Sequence, residues 1–245
     1  MSFITKEEYA IYEEISRLAH SLWQLSLEVV GLNSDTKMFS VMLFKRLWSN
    51  HRGYTLLHNN SLSLEADIIL RSGIEAAICI AANYQLREEF VTLLRKDTAH
   101  TVKGQIKIHR TNGDNELVKE AEELLRSLQS KFQQGEKAAR LNWKELALAG
   151  KVPDLYNHYK NLSGLSSHVT GMSILKASVS FNVSDLEEQR FLDGITKKMN
   201  LMMMAGATLQ GAMLHSAMID SQELSVTAIA LLDKLNLISE NWEQL

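Results

Sequence analysis

The sequence predicts an all-α protein, a single helical bundle domain of about eight or nine helices over residues 1–245. Three observations carry this. The 245 residues include a single proline, so almost nothing interrupts a ladder of backbone hydrogen bonds. Apolar residues recur at three- and four-residue spacing along most of the chain, the period of a helix with one buried face. Capping sequences, in which Ser, Thr or Asn is followed three residues on by Glu, stand at Thr5, Asn142 and Ser184, where that period restarts.

The first helix is expected to start at Thr5, capped with Glu8, and to run through Ile15, Leu18, Leu22 and Leu25 to Gly31. A second spans 37–51 with Phe39, Met42, Leu43, Leu47 and Trp48 inward, and Gly53 separates it from a third over 63–83. The fourth covers 86–110 and stops at Thr111-Asn-Gly-Asp, a turn that offers Asp114 as the next cap. The fifth, 116–140, is the most polar. Asn142 with Glu145 opens a short sixth helix ending at Gly150, and Pro153 suits the first turn of a seventh that Gly164 weakens. Residues 172–183, rich in Ser and β-branched types, read as a loop or short extended piece. Ser184 and Glu187 cap a long eighth helix, and Ser221 or Ser225 opens the last. There is no repeat and no linker rich in Gly, Ser or Pro.

Composition narrows the function classes. Lys plus Arg number 26 against 29 for Asp plus Glu, a formal charge of -3, so attraction to a polyanion must come from a local patch. The lone Cys79 excludes an intramolecular disulfide and a multi-cysteine zinc site and suits a reducing, cytoplasmic setting. The acidic N-terminus lacks the basic and apolar regions of a signal peptide. Residues 199–219 carry no Asp, Glu, Lys or Arg, but Asn200, Thr208, Gln210, His215 and Ser216 would each need a partner in hydrocarbon, so this reads as a buried helix and not a membrane span. Its small residues Ala205, Gly206, Ala207, Gly211 and Ala212 permit close helix approach, inside the bundle or across the two-fold axis of a homodimer. Neither HExxH, Cys-x-x-Cys, a P-loop, GxGxxG nor G-x-S-x-G occurs, so no metal or cofactor is expected.

Three polar constellations stand out. Asp67, Arg71 and Glu75 lie at i, i+4, i+8 in the apolar third helix, either as a solvent-facing stripe of ion pairs or as an arginine held between carboxylates in a cleft, where its fork would grip a phosphate. On a continuous seventh helix Tyr159, Ser163, Ser166 and Thr170 share a face; a break at Gly164 would bring His168, the histidine best surrounded by polar partners in sequence, toward those hydroxyls as a general base or acid. In the fourth helix Lys96, His100, Lys103, Lys107 and Arg110 fall within about 40° of one line, about 21 Å long, a stripe that could follow a nucleic-acid backbone or be neutralised by the acidic fifth helix in a hairpin.

Arg71-Ser-Gly-Ile-Glu75-Ala76, followed by Tyr159-x-x-x-Ser163-x-x-x-x-His168, resembles a broad group of bacterial all-helical domains of unknown function and, more remotely, the HEPN (higher eukaryote and prokaryote nucleotide-binding) domains; the likeness covers residues 62–170. The resemblance implies a dimerising helical bundle and two functions. One is binding of a protein partner or a phosphate-bearing ligand, RNA or nucleotide, in phage defence or stress response. The other is a metal-independent endoribonuclease in which Arg71 stabilises the phosphorane, His168 moves a proton, and Glu75, Tyr159 or Ser163 orients them. In active HEPN ribonucleases an arginine shortly precedes the histidine on its helix; here Asn161, Leu162 and Ser163 fill that interval, so Arg71 would have to replace it from another helix.

Overall fold

A computed structural model describes residues 3–32, 35–165, 174 and 186–240. Among the described residues there are nine helices and no strands: α1 Lys6–Ser26, α2 Thr36–Asn59, α3 Ser63–Leu86, α4 Glu88–Asn112, α5 Asn115–Gln129, α6 Trp143–Ala149, α7 Pro153–Leu165, α8 Leu186–Met218 and α9 Gln222–Glu240. The all-α reading holds. Residues 172–183 fall outside the description except for Ile174, so the extended piece expected there has no structural counterpart to compare.

Helix α3 is the centre of the bundle because it is apolar almost all round. Leu70, Ile74, Ile78 and Ile80 are fully buried, and α2, α4, α6, α7 and α8 all pack on it. Its alanines let neighbours come very near. A Cβ on Gly150, at the end of α6, would stand 2.8 Å from Ala81 Cβ and 3.0 Å from the α3 backbone, so α6 can seat there only with glycine at that point.

Helix α8 fills the other side of the core. Ala205, Ala207 and Ala212 are buried, α1, α2, α3 and α9 surround the helix, and a Cβ on Gly211 would meet Leu47 Cδ2 at 2.2 Å. Ala205, Ala207, Gly211 and Ala212 therefore make contacts within the bundle. No described helix is long and apolar enough to cross a membrane.

Polar groups buried between α1, α2 and α8 are matched to one another. His51 joins Ser16 Oγ (2.6 Å) to Thr208 Oγ1 (2.9 Å), and His215 joins Ser26 Oγ (2.8 Å) to Ser40 Oγ (2.7 Å). Each ring stacks on aromatic neighbours, His51 on Tyr12 and Trp48, His215 on Phe44. Glu8 shows a double use: its carboxylate completes the Thr5 capping box and also meets Lys198 of α8 at 2.8 Å with 2% of the Glu8 side chain exposed.

Several boundaries differ from the sequence reading, and the first is the end of α1, which stops at Ser26 and does not run on to Gly31. Helix α2 continues through Gly53 to Asn59: a glycine inside a helix costs only about 1 kcal/mol relative to alanine, and the packing of α2 on α3 outweighs it. The chain reverses instead at Ser61, whose φ is 59°. Helix α5 ends at Gln129, and residues 130–141 run back along α4. Ala139 N–H donates to the Lys96 carbonyl and Leu141 N–H to Asp97 Oδ1, bonds that a continued helix could not make. Asp114 occupies the cap position of α5 but makes no capping bond; it faces His109 Nδ1 at 3.6 Å.

Candidate functional site

The carboxylate–arginine stripe of α3 is not solvent-facing. Its residues lie against α7 and α8, so the amphipathic reading of this helix is replaced by a buried polar seam. Asp67, 5% exposed, accepts from Asn200 Nδ2 of α8 at 2.6 Å. Arg71, one turn on, is pinned from several sides: Nε donates to Ser163 Oγ at 2.8 Å, Nη2 donates to Tyr159 Oη at 3.2 Å and meets Glu75 Oε1 at 2.9 Å, and the guanidinium carbon sits 4.9 Å from the Tyr159 ring centroid. Ser163 itself donates to the Tyr159 carbonyl one turn earlier at 2.7 Å. Arg71, Glu75, Tyr159 and Ser163, from two helices about ninety residues apart in sequence, thus form one cluster. Burial pushes the Glu75 carboxyl above its ordinary range, against the opposing pull of Arg71 and Arg46. His168, with Ser166 and Thr170, lies outside the described residues, so its distance to Arg71 is not defined.

Two members of the cluster reach an open groove of about 400 Å³. Tyr159 and Ser163 line it, joined by Trp143 from α6 and Tyr156 from α7. The three aromatic rings form one tilted set: Trp143 to Tyr159 centroids are 5.6 Å apart and Tyr156 to Tyr159 6.0 Å. Two exposed lysines, Lys144 and Lys160, stand at its lips. Asn142 caps α6 by accepting from Lys144 and Glu145 backbone N–H groups, which fixes where Trp143 and Lys144 leave the chain.

A second opening of about 370 Å³ adjoins the first through Leu141 and Asn142. Lys96, Lys137 and Arg140 line it, with Glu89 and Glu145 as the acidic members. It leads to the α4 stripe, which is not uniformly free. Lys96 Nζ binds Glu136 Oε1 at 2.6 Å, and this bond, with the Gln133 N–H, holds the Glu136 carboxyl below its usual range. Arg110 binds Glu122 at 2.5 Å, and His100 Nε2 accepts from Arg140 Nε at 3.0 Å. Lys103 and Lys107 remain exposed and make no ion pair among the described residues.

The α4–α5 hairpin therefore neutralises only part of the stripe. At 100° per residue, Glu116, Glu120 and Glu123 point away from the side of α5 that carries Glu122, whereas Lys119 and Arg126 lie within about 60° of it. Lys103, Lys107, Lys119 and Arg126 are exposed on the hairpin, while Lys137 and Arg140 line the opening that adjoins the aromatic groove with Lys144 and Lys160.

Arg71, Glu75, Tyr159 and Ser163 are the sequence-derived candidates that the fold brings together. Trp143, Lys144, Tyr156, Lys160, Lys137 and Arg140 are the ones that sequence reasoning missed. The available signal was the pair of aromatic-lysine dipeptides, Trp143-Lys144 and Tyr159-Lys160, on either side of the α6–α7 turn. Among the described residues, no group of three or more His, Cys, Asp or Glu side chains could hold a metal ion. Compared with known proteins, the chain matches no family model, no curated protein and no solved structure.

Proposed function

We propose that the protein binds single-stranded RNA, or the nucleotides that compose it, with bases against Trp143, Tyr156 and Tyr159 and phosphates along Lys144, Lys160, Lys137, Arg140 and the basic side of the α4–α5 hairpin. The observation that carries this reading is the continuity of an aromatic groove with a lysine and arginine track in a chain whose net charge is -3. Bases of any sequence can stack on such rings, and a cationic track follows the backbone without reading sequence. Arg71 is a positioning residue in this account: its Nε and Nη2 already donate to groups of its own chain, and it fixes the ring of Tyr159 from behind.

The test is fluorescence anisotropy of a labelled oligouridylate at two salt concentrations. Binding is expected to weaken as salt rises, with log K falling by about 0.7 per phosphate contacted. Trp143→Ala should weaken binding about tenfold, within the 1–3 kcal/mol that one stacked base contributes. Lys144→Ala with Lys160→Ala should lower the salt slope by about 1.4, about 0.7 for each lost contact. Absence of binding at 50 mM salt, or equal binding by the Trp143 variant, defeats the proposal. Cleavage of the oligomer in EDTA, lost on His168→Ala, would replace it with the ribonuclease reading.

A further inference from the structure

The groove of Trp143, Tyr156 and Tyr159 can stack a base without reading it, but the opening beside it holds groups that a phosphate track does not need. That opening, of about 370 Å³, shares Leu141 and Asn142 with the groove. Leu86, Leu93, Leu141 and Leu146 give it apolar surface of the kind that covers the face of a base.

Charges of both signs lie in it without pairing. Lys137, Glu89 and Glu145 make no ion pair among the described residues, and Arg140 uses only Nε, on His100. Of the two carboxylates, Glu145 is the one on α6, the helix that also carries Trp143 of the groove. Asn142 and Glu145 have the same capping-box spacing as Thr5 and Glu8. In the Thr5 box both halves form, and Glu8 Oε2 accepts from the Thr5 N–H at 2.8 Å. At α6 only one half forms: Asn142 Oδ1 accepts from the Glu145 N–H at 3.3 Å, and the Glu145 carboxylate does not return to the cap. It lines the opening instead.

A carboxylate is an acceptor only, and it repels a phosphate. Its best partner on RNA is a base edge with two neighbouring donors. Guanine has one, N1–H beside the N2 amino group. Adenine and cytosine offer one amino group beside an acceptor nitrogen, and uracil a single N–H between two oxygens.

We propose that this opening takes a guanine base next to the nucleotide stacked in the groove, with N1–H and N2–H donating to the Glu145 carboxylate and with Lys137 and Arg140 holding the adjoining phosphate. The preference for guanosine rests on the RNA-binding reading and adds a base to it.

The experiment is fluorescence anisotropy of labelled octauridylate and of the same oligomer with one internal uridine replaced by guanosine, adenosine or inosine. Adenosine controls for the stronger stacking of any purine. Guanosine is expected to bind about tenfold more tightly than adenosine, the discrimination that a bidentate contact to a base edge supplies. Inosine, which keeps N1–H and lacks the amino group, should fall between them. Glu145→Gln, checked for the helical circular dichroism of the parent, should bring guanosine down to the level of adenosine. Octauridylate binding by the parent protein with no preference for guanosine over adenosine overturns this inference and leaves the RNA-binding reading standing, whether or not the variant folds. Binding of no oligomer overturns both. A folded Glu145→Gln protein that still prefers guanosine tenfold also overturns the inference.

Discussion

Lowering the pH from 7 to 4 is expected to remove about 6 kcal/mol of stability, through His51 and His215. Burial is the cause in both cases: it lowers the pKa of His51 to about 4 and that of His215 to about 3, from the ordinary 6.5. Both rings are 1% exposed or less, and their nitrogens are bonded to Ser16, Thr208, Ser26 and Ser40, hydroxyls that suit a neutral ring. The unfolded chain binds protons at these residues below pH 6.5, and the folded chain does so only near pH 4 and pH 3. Their stabilising effect is therefore complete above pH 6.5 and fades as the pH falls toward the folded values, by about 3 kcal/mol for each histidine at pH 4. Glu75, whose carboxyl is pushed up by burial, titrates in the opposite sense. Since a typical domain is stable by about 5–15 kcal/mol, the loss is enough to bring the protein near its unfolding midpoint. Urea denaturation at pH 7 and pH 4 measures it. His215→Gln, which stays neutral throughout, should remove about half of the pH dependence, and equal stability at the two pH values would contradict the argument.

Arg71→Met is expected to destabilise the protein by about 3 kcal/mol, because it leaves Glu75 half-desolvated without its ion-pair partner and takes donors from Tyr159 and Ser163 together. The side chains of Arg71 and Glu75 are 21% and 15% exposed, so solvent screening is limited but not absent. Arg71→Lys should not restore the loss, since one ammonium cannot reproduce a fork that reaches Ser163, Tyr159 and Glu75 at once. Adding Glu75→Gln to Arg71→Met should recover roughly half, as the orphaned charge is removed. Chemical denaturation of these variants decides the matter: an Arg71→Met protein within about 0.5 kcal/mol of the parent would show that the cluster is not a structural unit.

The same cluster shows how far the sequence was legible. Helical periodicity and capping residues located the helices because both are local; the Thr5–Glu8 box and the Asn142 cap formed as their spacing implied. Gly53 misled because the packing of α2 on α3 outweighs the weak helical preference of one glycine. The early end of α5 depends on backbone bonds to Lys96 and on the Asp97 side chain, about forty residues away, which no local pattern contains. Helical spacing put Arg71 with Glu75 on one face of α3 and Tyr159 with Ser163 on one face of α7, but it did not contain the meeting of the two faces, which depends on how α7 packs on α3. That Trp143 would stand beside them was not readable either, since it depends on how α6 seats against α3 through Gly150. The expectation of an acidic α5 cancelling the α4 stripe failed in part for a rotational reason: most of its glutamates are turned away from the helix that they were to neutralise.

The most direct measurement of the proposed function is photo-crosslinking of an oligonucleotide carrying 4-thiouridine, followed by mass-spectrometric mapping of the modified peptides. The account predicts attachment within residues 141–163, at Trp143, Tyr156 or Tyr159. Attachment confined to the α8–α9 side of the bundle, or none at concentrations that saturate anisotropy, would contradict it.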